Sequence, residues 1–370
     1  MKIAYIITSD ISRFRGSTLK VKNQVDSWRN NGHQVEVFAR VPDFDKPLID
    51  ANRFIKPTSF FKSILGKDVK FIRAVVNYNP DILYIRQSFP NRTYFFLQKI
   101  YLNVIEIVND DIDEYIYFYK LHKNISSIIK LIATLLLRGR FFNLAAGLVA
   151  GTRELSQKKR FTRYGKQISI IPNSVLLKSD SEDIIKRTKR SDPKNIEQLF
   201  FIGSPGFTWH GIDKIEKLAE ILGPDYIFHI VGLEGIDKEN VRFYGYMKES
   251  EYNEILSRCH ICISTFALHR KNQHECTTIK FGEYLKKGFP VIVPYKETAL
   301  TINDMPDWIL EIPNKEDVLE DSETVIAIKE FVQTNKDKIV NHSESAIYVS
   351  SEKVESRRLN FMQAICNDIE

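Results

Sequence analysis

Cysteine is scarce, with four residues in a chain of 370, and that excludes a disulfide framework. Cys259 and Cys262 share a Cys-His-Ile-Cys spacing, but no second pair exists to complete a zinc site. They lie in the apolar run of Ile261, Cys262 and Ile263, which reads as a strand, so both thiols are expected in a core. Long hydrophobic runs are also missing. The longest, Ile128 to Leu137, is interrupted by Lys130 and Thr134 and is too short to span a bilayer. The opening Met-Lys-Ile-Ala-Tyr-Ile-Ile-Thr has no cleavage-site pattern and reads as a first strand, not a signal peptide. A cytoplasmic location is therefore expected, with peripheral contact at the inner face of a membrane as an addition. Nor is there a large excess of one charge: the net value is +6, and no nucleic-acid partner is expected. The densest basic stretch, Lys186, Arg187, Lys189, Arg190 and Lys194, reads as a solvated linker. Its sharper alternative is attraction to an anionic lipid surface or a phosphorylated acceptor.

What the chain has is apolar material for two cores: 43% hydrophobic residues, including 24 Phe and 16 Tyr. That excludes a disordered or fibrous class, and the length points to two domains. Short β-branched runs alternate with helical patterns. Ile3–Thr8 reads as a strand, and Ser17–Asn31 as an amphipathic helix with Leu19, Val21, Val25 and Trp28 on one side, closed by Gly32. Strands are expected at 34–39, 82–86, 103–108, 146–150 and 167–171. A polar stretch from Lys178 to Asn195 reads as a linker. The alternation then restarts, with strands at 198–202, 226–231, 241–244, 261–265 and 289–294 and a helix over 211–222. This is an α/β plan of two Rossmann-like domains. The N-terminal domain is expected over 1–178 and the second domain over 195–353, and a last helix is expected over 354–370. Ligands of such sheets bind outside the carboxyl ends of the strands.

The most informative segment runs from Ser264 to Glu283. It starts on a strand, crosses a polar loop and enters a helix beginning near Thr277 or Thr278, which Gly288 closes. Free N–H groups and the positive end of a helix favour an anion at such a place. The loop holds His269, Arg270 and Lys271, and Lys280 sits in the first helical turn. That concentration of donors and positive charge suits a diphosphate. Glu283 lies two helical turns beyond Glu275 if the helix reaches back that far, and carboxylates there suit ribose or hexose hydroxyls. The plainer alternative is a set of surface charges on an ordinary loop and helix.

Glu275 and Glu283 form a Glu-x7-Glu pair followed by Tyr-Leu-x-x-Gly-x-Pro-Val-Ile, which resembles the donor-site signature of glycosyltransferases of the GT-B fold, in particular the family 4-like group of bacterial polysaccharide-type enzymes. The resemblance extends over most of the chain. Asn31-Gly-His-Gln-Val-Glu-Val is similar to the opening of the acceptor domain, and Pro80-Asp-Ile-Leu-Tyr-Ile-Arg86 and Val104-Ile-Glu-Ile-Val-Asn-Asp110 to its later strands. Ile170-Ile-Pro-Asn-Ser174 resembles the inter-domain approach. Phe201-Ile-Gly203-Ser204 and Trp209-His-Gly-Ile-Asp resemble the Gly-Arg and Lys-Gly positions, and Asn240-Val-Arg-Phe-Tyr-Gly-Tyr246 the segment that holds the base.

The resemblance implies two Rossmann-like domains facing an inter-domain cleft, with the helix 354–370 packing back on the N-terminal domain. It implies transfer of a hexosyl group from a nucleotide-diphosphate sugar to a glycan or lipid-linked acceptor, retaining, metal-independent and without a cofactor, in cell-surface polysaccharide synthesis. Glu283 would bind the donor ribose and Glu275 the hydroxyls of the transferred sugar. The backbone near Cys276, Thr277 and Thr278, with Lys280, would hold the diphosphate, and Tyr246 would meet the base. Gly16 would let the first loop approach the phosphate. The usual Arg and Lys clamp is replaced by Ser204 and His210, the latter partly charged near neutral pH, so His269, Arg270 and Lys271 are expected to take over.

In the N-terminal half, Arg13 and Arg15 on the first loop, beside Asp10, and Arg86 at a strand end are the acceptor-side candidates. Asp110 is the candidate base, with a helix cap as its alternative. In retaining members of the family the leaving phosphate itself serves as base. Asp111-Ile-Asp113 has the spelling of a metal motif but the wrong context, and no metal is expected. Helical spacing of Ile125, Ile128, Ile129, Ile132, Leu135 and Leu136 fits a membrane-docking patch or, more simply, a buried helix. Two other functions fit the same plan: a nucleotide-sugar 2-epimerase and a non-catalytic glycosyltransferase-like binding subunit.

Overall fold

The computed structural model describes residues 1–8, 16–41, 49–55, 64–123, 125–187, 196–300 and 305–368. Asp10, Arg13, Arg15, Lys189, Arg190 and Lys194 lie outside the described residues. The chain divides into two compact units, Met1–Leu176 with Ser351–Glu370, and Leu177–Ser350.

The first unit is built on seven strands: β1 (Lys2–Ile7), β2 (Gln34–Val41), β3 (Asn52–Ile55), β4 (Ile82–Arg86), β5 (Asn103–Ile107), β6 (Gly147–Ala150) and β7 (Gln167–Ile170). All pairs are parallel and the order is β3-β2-β1-β4-β5-β6-β7. Strand β1 is apolar on both faces, as a strand covered on both sides must be. The helix Gly16–Asn30 buries Val21, Val25 and Trp28. The last helix, Ser351–Asn367, places Val354, Leu359, Phe361, Met362 and Ile365 in the same core. It is tied there by the Trp28 indole, which donates to Glu355 at 2.9 Å. A side chain at Gly147 would meet the Phe361 ring at 2.8 Å, so strand and helix approach closely there.

The second unit carries β8 (Glu197–Ile202), β9 (Tyr226–Val231), β10 (Val241–Phe243), β11 (Ile261–Ile263), β12 (Glu275–Cys276), β13 (Val291–Val293), β14 (Lys296–Glu297) and β15 (Ile309–Glu311). Six of them form a parallel sheet in the order β10-β9-β8-β11-β13-β15, and β12 pairs with β14. Strand order reverses between β8 and β11. The crevice outside Ile202 and Ile263 is therefore the topological switch point, where ligands of this architecture bind. Cys259 and Cys262 are both fully buried and free.

Two expectations need correction. The stretch 178–195 is not a free linker in its described part. Asp180–Asp183 is a helical turn, Ile185 N–H donates to the Lys287 carbonyl, and the Arg187 guanidinium donates to the carbonyls of Lys336 and Lys338. Nor is the helix Ile125–Asn143 packed on its aliphatic stripe. It buries Thr134, Arg138, Phe141 and Phe142 and leaves Ile125, Ile129, Ile132, Leu135 and Leu136 exposed. Arg138 is drawn inward by Asp111, 3.3 Å away, and by the faces of Phe142 and Phe161.

Candidate active site

At the end of β8 the backbone turns through Gly203. A side chain there would meet Phe201 at 2.7 Å and His210 at 3.1 Å. Gly232, at the end of β9 with φ +84°, is pressed against the Gly203 carbonyl, so that position needs glycine. Ser204 N–H donates to His210 Nε2 at 3.1 Å, which fixes an unprotonated nitrogen there. Burial, reinforced by repulsion from Lys280 and Lys271, lowers the His210 pKa to about 2. The expectation of a partly charged His210 is thus overturned: it is a neutral imidazole that orients the turn.

The helix Ile279–Lys286 starts at Thr278, whose hydroxyl accepts from Phe281 N–H. It does not reach back to Glu275, which lies buried on β12. The Glu-x7-Glu spacing therefore bridges a strand and a helix, not two turns of one helix. Between them the loop is held from beneath by Glu297, a residue the sequence reading passed over. Its carboxylate is fully buried and accepts from Thr278 N–H at 3.3 Å and Tyr295 OH at 3.1 Å, with Thr277 as a further donor. Tyr295 OH also meets Thr278 Oγ1 and Ser264 Oγ, each at 2.8 Å. Burial outweighs these donors and pushes the Glu297 pKa up to about 8. The only hint in the sequence was a Tyr-x-Glu just after a strand; its burial arises from the pairing of β12 with β14.

Lys280 lies on the first turn of that helix. Its ammonium is buried 4.1 Å from the centroid of the Phe201 ring and has no hydrogen-bond partner among the described residues. Burial lowers its pKa to about 7. One turn on, Glu283 Oε1 is buried without a hydrogen-bond partner among the described residues, and burial raises the carboxyl pKa. The Lys271 ammonium stands 4.6 Å over the Trp209 ring. Gly203, Ser204, His210 and Lys280 thus come together around Phe201, and Lys271, over Trp209, is near enough to act on His210. Tyr246 is 72% exposed beyond the end of β10, and Gly16 is the first residue of its helix.

His269 and Arg270 are held elsewhere. Arg270 pairs with Asp213 and with Glu316, and His269 Nε2 meets Glu316 at 2.6 Å while Nδ1 meets Asn314. Charge-assisted bonds of this kind use up the guanidinium donors. The expected takeover by His269 and Arg270 is therefore corrected, and the cations left for an anion in this group are Lys271 and Lys280.

In the first unit, Asp110 is buried, caps the helix Asp111–His122 by accepting from Ile112 N–H, and pairs with Lys158 and Arg160. Those commitments replace the role of base. Asp111 pairs with Arg138, and Asp113 with Lys158 and Arg160. Arg86 is bound to Glu106 at 3.2 Å, and Lys20 to the same carboxylate at 2.6 Å.

No protein-family model and no curated protein matches the chain. Solved structures do. Sucrose-phosphate synthase from Thermosynechococcus elongatus superposes with a TM-score of 0.63 at 12% identity, over 98% of each chain. The lipopolysaccharide outer core galactosyltransferase WaaB gives 0.62 at 12% identity, over 98% of this chain and 100% of its own. Anabaena HepE, solved with UDP and glucose, gives 0.59 at 12% identity, over 98% of this chain and 99% of its own. The fold is GT-B, with two Rossmann-like units.

Proposed function

We propose that the protein is a glycosyltransferase that takes a hexosyl group from a nucleotide-diphosphate sugar held by the second unit. The observation that carries this reading lies on one helix beside the β8–β11 switch point, where neither the buried Lys280 ammonium nor the buried Glu283 Oε1 has a hydrogen-bond partner among the described residues. A diphosphate supplies the anion that Lys280 lacks, and a ribose supplies hydroxyl donors to Glu283. Binding of UDP and glucose by HepE, and the galactosyltransferase named among the similar structures, support the same reading.

In the proposed reaction the bond from the sugar C1 to the diphosphate oxygen breaks, and an acceptor hydroxyl bonds to C1 on the same face. The acceptor proton passes to the departing phosphate. Lys280, Lys271 and the N–H groups of Ile279 and Lys280 at the start of the helix stabilise the charge that develops on the diphosphate. Glu275 accepts from hydroxyls of the transferred sugar, and Tyr246 meets the base. The acceptor is a glycan or a lipid-linked sugar in cell-surface polysaccharide synthesis, and the reaction uses no metal.

Thermal unfolding with a panel of UDP-, GDP-, ADP- and TDP-linked sugars tests the reading. One nucleotide should stabilise the chain, and Glu283→Ala should remove that shift. A panel in which none stabilises would overturn it. A second reading, a non-catalytic binding subunit, is favoured by the neutral His210 and the engaged Arg270, which thin the clamp. It predicts the same nucleotide shift without turnover of the stabilising donor.

A further inference from the structure

The helix Ile125–Asn143 is turned inside out relative to a helix of a soluble core. Ile125, Ile129, Ile132 and Leu136 recur at steps of four, three and four, a single helical face. That face is the exposed one: Ile125 is 71%, Ile132 52% and Leu136 77% exposed, with Leu135 beside them, while Thr134 and Arg138 point inward. The stripe extends about 16 Å along the axis. Tyr119 and Leu121, on the helix that precedes it, are exposed as well. A contiguous apolar stripe of this kind marks a contact surface.

Its charge identifies the partner. Not one Asp or Glu occurs between Glu114 and Glu154, while Lys120, Lys123, Lys130, Arg138 and Arg140 do. Lys120, Lys123, Lys130 and Arg140 are exposed. The nearest carboxylates are engaged: Asp111 by Arg138, Asp113 by Lys158 and Arg160, and Glu114 by Asn109. A second copy would bring cations opposite their own equivalents with no acid to answer them. An anionic surface with an apolar interior answers both the cations and the stripe. The helix is not itself a crossing element, because no described helix is long and apolar enough to span a membrane.

We propose that the helices Asp111–His122 and Ile125–Asn143 dock the first unit on an anionic lipid bilayer, with Ile125, Ile129, Ile132 and Leu136 entering the headgroup boundary and Lys120, Lys123, Lys130 and Arg140 meeting lipid phosphates. The inference stands apart from the sugar-transfer reading, since it uses none of the donor-site residues.

Co-sedimentation of the full chain with vesicles of phosphatidylcholine alone, or mixed with phosphatidylglycerol, decides it. The wild-type chain should pellet with the mixed vesicles and be released by salt. The triple variant Ile125→Ser, Ile132→Ser, Leu136→Ser should lose partitioning by about a hundredfold or more. Its thermal unfolding should be unchanged, because those side chains make no core. Lys120→Ala with Lys123→Ala and Lys130→Ala should erase the preference for the anionic lipid. The proposal is overturned if the wild type stays in the supernatant, or if the serine triple pellets as well as wild type. It is equally overturned if the wild type sediments alone as a dimer that the serine triple dissociates.

Discussion

Two buried charged groups near strand ends, one in each unit, are treated in opposite ways. In the first unit Glu106 on β5 is answered by Lys20 and by Arg86 at the end of β4. Although burial pushes the Glu106 pKa up, those cations hold it far below the ordinary carboxylate range. In the second unit Lys280 and Glu283 share a helix, and each keeps a buried atom without a hydrogen-bond partner among the described residues. Their pKa values move the other way, toward the uncharged forms, with burial as the first cause. An answered cluster serves the fold. An unanswered one costs the fold stability and is retained where a ligand completes it.

The largest effect expected from this contrast is structural. Glu106→Gln leaves Lys20 and Arg86 buried without their counter-charge, and breaking a buried pair in this way costs about 3–5 kcal/mol. Hydrogen exchange of the β4 and β5 amides should rise accordingly. Unchanged protection would mean that the cluster is not structural and that Arg86 is free to serve an acceptor.

Lys280→Met should do the reverse. Removing a buried, unpaired ammonium should stabilise the apo second unit by about 1–3 kcal/mol at pH 7, partly offset by the lost contact with the Phe201 ring, while donor binding is lost. The pH dependence follows from the same group. Between the folded pKa of about 7 and the unfolded value of 10.5, the unfolded chain holds a proton that the folded chain does not. Stability of the wild type therefore gains a rising contribution as pH increases through that window, and the Met variant should lack it. Calorimetric unfolding from pH 7 to 10 reads both. A destabilised variant would show that the ammonium is answered in the apo protein, and the contrast with Glu106 would collapse.

The parts legible in the sequence were those written in local pattern. The apolar run of β1, the amphipathic stripe of Val21, Val25 and Trp28, and the alternation that yields two parallel sheets all lie within a few residues of each other. Lys280 and Glu283 were legible because strand, loop and helix follow in direct succession there. Partnership across distance was not. Asp213 and Glu316 lie 57 and 46 residues from Arg270, and nothing local shows that they consume its charge. The helix from Ile125 misled for a related reason. Periodicity reports an apolar face, but which way that face turns was decided by Arg138, Asp111 and the rings of Phe142 and Phe161. Strand β15, three residues long, is too short for any period to register.

Arg270 supplies the finest test of the contrast, and the smallest expected effect. Its side chain is only partly buried, and its partners Asp213 and Glu316 are largely exposed. Solvent screens such pairs, so Arg270→Ala should cost no more than about 1 kcal/mol. The donor-induced thermal shift should remain, because the guanidinium faces Asp213, Glu316 and the Thr208 carbonyl and does not join the group around Phe201. Lys280 and Arg270 stand ten residues apart in one loop-and-helix segment and carry the same charge, yet only the unanswered one should matter to the donor. If Arg270→Ala abolishes the shift while apo stability is unchanged, the guanidinium must leave its carboxylates when the donor arrives. Answered and unanswered charge would then cease to separate structure from function in this unit.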